Sequence, residues 1–323
     1  MIYDVMEHYE LEKEFRNAGY FETENYRQIF LDLKTAIRSG HLVALTGIIG
    51  CGKTTAARQI RKELKKEGDI LISTNLAVDK DRVNLSTLIY TLFADLVTEK
   101  DYKVPSKLEF RERKLRELIM RKKKPVALFI DEAHDLHHKT LVGLKRLIEV
   151  VQEADSTLSI VLIGHPKLKI DLNRPAMEEI GARATMLDMH GIKGSESKYI
   201  YWLFSQCLKG DELKATDVFT EESITYMAEK LHTPLQINSY TWKALVQAHQ
   251  IGQKPVEIET LQAVISEDLD GLEAKLQRYG YNLKSLGETI DARPSEIRAY
   301  LRGRLASARS HEIQTEMLKL GII

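Results

Sequence analysis

Apolar residues along this chain follow two rhythms. Short unbroken runs, "LVALTG", "DILISTNL", "VALFIDE" and "LSIVLIG", recur through residues 42–164, and a weaker fifth, "ATMLDM", ends near His190. Runs this short and this apolar suit strands buried on both faces, and the segments between them repeat at helical spacing. The pattern therefore predicts a parallel sheet covered by helices on both sides. Ahead of the first run, "YRQIFLDLKTAIRSG" is an amphipathic helix that Gly40 stops. From about 195 to 254 the rhythm is wholly helical, as in "SKYIYWLFSQCL" and "LQINSYTWKALVQAHQIG". "VEIETLQAVISEDLDG" then reads as a helix end and a junction, and "NLKSLGETIDARPSEIRAYLRGRL" as two short helices around a tight turn.

Between the first strand and its helix lies "TGIIGCGKTT". Gly47-x-x-x-x-Gly52-Lys53-Thr54 has the phosphate-loop spacing and the strand–helix context that loop requires. Its glycines let the backbone curl so that successive N–H groups point inward, and the helix N-terminus adds a favourable dipole. Gly47, Gly50, Cys51, Gly52, Lys53, Thr54 and Thr55 are the expected ATP-binding residues. Lys53 would reach the β- and γ-phosphates, and the Thr54 hydroxyl would ligate Mg²⁺. The third run supplies a complementary pair: Asp131 to hold Mg²⁺ through water, and Glu132 to orient or deprotonate an attacking water. Both carboxylates together favour hydrolysis over a pure binding switch.

Two further positions carry alternatives. His165 follows the fourth strand at the edge where ligands sit in open α/β sheets, and either senses a γ-phosphate or satisfies loop backbone. Arg183 precedes the fifth strand, where a guanidinium can project into a neighbouring subunit's nucleotide. Arg174 competes for that role, and a plain surface arginine is the other reading.

These motifs and the helical segment after them resemble an AAA+ ATPase. More narrowly, residues from about 20 to 255 resemble the ExeA/TniB-like group, which contains transposition regulators and secretion-linked ATPases. The resemblance implies an α/β fold, a P-loop AAA+ parallel sheet flanked by helices, then an all-α lid and a helix-turn-helix-like module. The expected divisions are an extension over 1–25, a nucleotide-binding core over 26–194, a lid over 195–255, a linker over 256–271 and the module over 272–323. It further implies a homo-oligomer, ring or helical filament, that assembles on duplex DNA with ATP and meets a transposase and a target-selector protein. The alternatives are a secretion ATPase, or an initiator-type or signal-transducing switch with a site-specific DNA-binding tail. One departure stands out. Where the group commonly has a sensor arginine in its lid, "HTPLQIN" places Leu235, which implies slow hydrolysis or dependence on a partner.

Charge changes the picture only locally. Lys+Arg and Asp+Glu are both 47, so the whole chain favours no polyanionic partner. Residues 272–323, however, carry nine Lys/Arg against six Asp/Glu. In that tail Leu286, Ile290, Ile297 and Tyr300 fall where a helix-turn-helix buries its contacts, with Gly287 small enough for close approach and Asp291 at the turn. If it binds duplex DNA, Ser295 and Arg298 face the major groove, with Arg302 and Arg304 toward phosphates. The same packing also suits a docking module without DNA. In "RERKLRELIMRKKKP", Lys122 and Lys123 either close a helix with favourable charge or track a DNA backbone.

The two cysteines, Cys51 and Cys207, form neither a disulfide framework nor a metal pattern. "MIYDVMEHYELEKEF" lacks a signal-peptide pattern, and no apolar run approaches the roughly 18 to 20 residues of a membrane span. A cytoplasmic location without membrane contact is the resulting expectation.

Overall fold

Five apolar runs become five parallel strands: β1 (Leu42–Thr46), β2 (Leu71–Asn75), β3 (Val126–Ile130), β4 (Leu158–Gly164) and β5 (Ala184–Asp188), ordered β2-β3-β4-β1-β5. The computed structural model describes residues 2–75, 83–97, 104–210, 212–265, 269 and 271–322. Every residue of β1, β3 and β4 is buried, which is why these strands read as continuous apolar runs without alternation. On the edge strand β5 only Leu187 is fully buried, and its run is correspondingly weak.

Helices α1 (Ile2–His8) and α2 (Glu24–Arg38) precede the sheet. The crossovers carry α3 (Lys53–Glu67), α4 (Leu85–Leu96), α5 (Leu108–Lys122), α6 (His138–Gln152), α7 (Pro166–Leu172) and α8 (Glu178–Gly181). Alternate strand residues feed opposite layers. Val43, Leu45, Phe129 and Ile163 pack on Leu33, Ile37, Ile60 and Leu64 of α2 and α3. Ala44, Leu128, Ile160 and Leu162 pack on Leu88, Leu92, Leu144 and Leu147 of α4 and α6.

The lid comprises α9 (Glu196–Cys207), α10 (Ala215–Val218), α11 (Glu221–Lys230), α12 (Pro234–Gln250) and α13 (Ile258–Val264). Its core differs from the sequence expectation at both ends. Val5, Tyr9, Leu11, Phe15 and Ala18 join it, so the first part of the N-terminal extension packs with the lid, while Tyr20 packs on the α2–α3 layer of the sheet. Val256, Leu261 and Ile265 also join it, which moves the expected junction from 255 to beyond Ile265. Acidic residues between these apolar positions gave the segment the look of a linker, yet Thr260, Leu261 and Ile265 occupy one buried helical face. Among the described residues no helix is long and apolar enough to cross a membrane.

The tail adds α14 (Leu272–Arg278), α15 (Leu283–Ile290), α16 (Pro294–Leu301) and α17 (Ser307–Lys319) around Leu276, Leu286, Ile297, Ile313 and Met317. Asp291 ends α15 in the left-handed region, at φ 51° and ψ 53°, a conformation Asp adopts more readily than most residues. A methyl at Gly287 would lie 2.3 Å from the Ala292 carbonyl oxygen. Gly287→Ala must therefore part α15 from the turn, at an expected cost of about 1–3 kcal/mol. Proteolysis within the tail at temperatures where the wild type resists would register it; an unchanged cleavage profile would show that the approach is not needed.

Candidate nucleotide site

The C-terminal strand ends line one edge of the sheet, because β1 pairs with β4 as Thr46↔Gly164 and β3 with β4 as Ile130↔Leu162. The phosphate loop, Asp131 and His165 all follow these strand ends, so the topology gathers them from distant sequence. Gly50 and Gly52 have φ of +82° and +99°, backbone that glycine adopts without strain. α3 begins at Lys53 with no side-chain cap, leaving its first-turn N–H groups for an anion.

Lys53 is only 8% exposed, and its Nζ donates to Ile48 O at 3.0 Å across the loop. Burial pushes its pKa down, while Cys51, Glu132 and Asp131 pull it back up. A buried ammonium with three donors, one of them spent on a single carbonyl, suits a polyphosphate. Thr54 and Thr55 are exposed beside it. Asp131 is half-buried at the end of β3, and its Oδ1 accepts from Glu132 N at 2.9 Å. These residues fit ATP and Mg²⁺: the loop would hold the phosphates, and Thr54 with Asp131 the metal. When bound, Mg²⁺ would neutralise charge developing on the phosphate oxygens.

Glu132 sits in left-handed backbone, φ 54° and ψ 36°. Its Oε2 lies 3.4 Å from His134 Nδ1 and 3.7 Å from His165 Nε2. Sequence reasoning assigned His134 no role; its spacing of two from Glu132 in "DEAH" was the available signal. A cavity of 410 Å³ opens beside Cys51, Gly52 and Thr55, walled by Tyr20, Phe21 and Tyr199 among others. It has the size and partly aromatic lining to take a base, and two lid residues, Tyr199 and Asn238, joined by a 3.2 Å hydrogen bond within the lid, line one side.

The lid also touches the loop itself. Leu235 N donates to Gly50 O at 3.3 Å, and a methyl on Gly50 would fall 2.8 Å from Leu235 Cβ. The position where the resemblance implies an arginine thus abuts the loop, with an apolar side chain 57% exposed. From the other side the tail reaches in: Ile49 N donates to Arg278 O at 2.8 Å. A methyl on Gly280 would meet the His165 ring at 2.8 Å. Arg174 donates to Thr289 Oγ1 at 3.0 Å, binding core to tail.

Arg183 is not brought into this site. It precedes Ala184, which pairs with Leu42, whereas the phosphate loop follows Thr46; four rises of about 3.3 Å put roughly 13 Å between the two edges. Its Nη1 donates to Glu149 Oε1 at 2.6 Å. Lys122, half-buried, and Lys123, exposed, lie just before β3 on that same edge. Ser295, Arg298, Arg302 and Arg304 are exposed on and after α16, and no ion pair engages them among the described residues.

Strand order β2-β3-β4-β1-β5, with the phosphate loop after β1, an acidic pair after β3 and helices beyond the sheet, defines the P-loop AAA+ ATPase fold. Comparison with known proteins agrees. Residues 37–169 match the AAA domain family. General secretion pathway protein A of Aeromonas hydrophila is 29% identical over 149 residues, which cover 45% of this chain and 26% of that protein. The match thus spans about a quarter of that relative's length. The ORC2 protein of Aeropyrum pernix, solved as ADPNP–ADP complexes, superposes with a TM-score of 0.62 at 13% identity over 96% of this chain and 91% of that one. Cdc6p of Pyrobaculum aerophilum gives 0.56 at 16% identity, over 92% and 80%. At such identities these structures speak for the fold alone.

Proposed function

We propose that this chain is a Mg·ATP-dependent AAA+ ATPase that oligomerises on duplex DNA and governs target selection and transposase recruitment. The observation that carries the reading is the docking of a helix-turn-helix-like module onto the phosphate loop, through Ile49 N and Arg278 O at 2.8 Å. That contact gives the nucleotide a direct path to the element suited to DNA. Exposed Arg302 and Arg304 supply phosphate partners, and Arg298 a group for the major groove. The transposition role rests on the motif resemblance, as does a target-selector partner. Leu235 beside Gly50 supports slow turnover, raised by DNA or a partner.

Calorimetry with Mg·ATP, followed by duplex binding with ATP, a non-hydrolysable analogue or ADP, tests the reading. Lys53→Ala should weaken ATP about 10- to 150-fold, since a hydrogen bond to a charged group is worth about 1.5–3 kcal/mol. Normal affinity in that variant would move the site elsewhere. Arg302→Ala with Arg304→Ala should weaken every duplex alike and flatten the slope of log affinity against log salt by about one for each phosphate no longer neutralised. An unchanged slope would favour the tail as a protein-docking module. The Aeromonas match favours a second reading, a secretion-linked ATPase, which predicts nucleotide turnover indifferent to duplex DNA.

A further inference from the structure

Glu132, His134 and His165 form a cluster that phosphoryl transfer does not require as a set. One donor atom from each lies within 4.8 Å of the others. His134 Nδ1 and His165 Nε2 stand 3.4 and 3.7 Å from Glu132 Oε2. With zinc bonds of about 2.0–2.2 Å, tetrahedral donors sit roughly 3.3–3.5 Å apart. Two of the three separations therefore match within a few tenths of an ångström. The two rings lie with centroids 3.9 Å apart at 42°, and the donor atoms are within 4.8 Å of one another, so a shared ion needs the ring bodies to splay while their donor nitrogens come to roughly 3.3–3.5 Å.

Three features make this more than proximity. The second nitrogen of His134, Nε2, is 3.5 Å from Asp135 Oδ1, the kind of carboxylate partner that fixes a ligand imidazole's tautomer and leaves Nδ1 to donate its lone pair. The histidine side chains are only 11% and 14% exposed, whereas Glu132 is 43% exposed, so packed ligands face an open side where water completes the coordination. Two imidazole nitrogens with one carboxylate suit Zn²⁺, Co²⁺ or Ni²⁺, while Mg²⁺ prefers oxygen ligands. The cluster is thus chemically distinct from the magnesium position at Thr54 and Asp131.

The geometry points to a transition-metal site at Glu132, His134 and His165, taking Zn²⁺, whose occupation withdraws Glu132 from water and halts hydrolysis. The regulatory half rests on the role proposed for Glu132; the binding half does not.

The first test is titration of untagged, chelator-stripped, nucleotide-free protein with Co²⁺, read by visible absorption. One Co²⁺ per chain should give the intense bands of a four- or five-coordinate ion, and Zn²⁺ should bleach them. His134→Ala and His165→Gln should each abolish the bands while circular dichroism shows an intact fold. Asp135→Asn should weaken the metal about 10- to 100-fold. Lys53→Ala, though impaired toward ATP, should keep the bands. A wild type giving only the pale octahedral spectrum, or bands that survive both histidine variants, overturns the site. In the second test, Zn²⁺ at saturating Mg·ATP should suppress wild-type turnover reversibly, and the turnover left in His134→Ala should no longer respond. An equal response in that variant overturns the regulation. A wild type that hydrolyses nothing would sink the ATPase reading, while the cobalt spectrum would still decide the metal site.

Discussion

Glu132→Gln should bind Mg·ATP as the wild type does and turn it over about 10²–10⁴-fold more slowly, the usual contribution of a positioned general base. The substitution keeps the size and one oxygen of the side chain but removes its capacity to take a proton. The surroundings of Glu132 suit that task. Glu132 follows Asp131 just past the end of β3, and its amide is anchored by Asp131 Oδ1 at 2.9 Å. Its left-handed backbone, φ 54°, turns the chain sharply away from the strand, a conformation uncommon for a residue with a side chain and typical of constrained sites. Its carboxylate then meets two imidazoles instead of bulk water alone. If the triphosphate state is the one that grips DNA, the variant should also accumulate as persistent oligomers on duplex, visible by electron microscopy. Single-turnover hydrolysis with pre-bound Mg·ATP separates this from a binding defect. Wild-type turnover would remove Glu132 from the mechanism.

The parts of this site visible in the sequence are those whose chemistry is local. The phosphate loop needs a fixed spacing between a strand and a helix, and β1, β3 and β4 are buried on both faces, so their identity survives as plain apolar runs. What the sequence hides is which buried face meets which. Helix α1 buries Val5, but nothing in Val5 or Tyr9 says that their partners lie some 200 to 250 residues away in the lid, where Lys254 pairs with Glu10 at 2.8 Å. The tail's hold on the phosphate loop is hidden more deeply, because a main-chain bond from Ile49 to Arg278 leaves no trace in side-chain identity. Leu235 is the intermediate case. The resemblance marks it as a departure, and the structure sets it against Gly50.

Arg183→Ala should lose about 10³–10⁵-fold of DNA-stimulated turnover, the range for an arginine finger, while ATP affinity of the monomer stays at the wild-type value. Strand register is the reason. Arg183 lies at the N-terminal edge of β5, the far side of the sheet from the phosphate loop, so it cannot serve its own nucleotide. A second copy presenting that edge can bring it to the first copy's γ-phosphate. Glu149 occupies Arg183 in the single chain at 2.6 Å, yet the two side chains are 64% and 39% exposed. A pair that exposed is worth only about 0–1 kcal/mol, so giving it up for a phosphate costs little. Mixing two inactive variants distinguishes a neighbour's finger from a local role. At an ATP level that fills only the wild-type site, Lys53→Ala leaves its own site empty but keeps its arginine, and Arg183→Ala has the converse defect. At interfaces where the first presents its edge to the second, a complete site forms, and turnover should rise above that of either variant alone. A mixture no more active than its components, under conditions where both co-assemble on DNA, would assign Arg183 to the fold of its own chain.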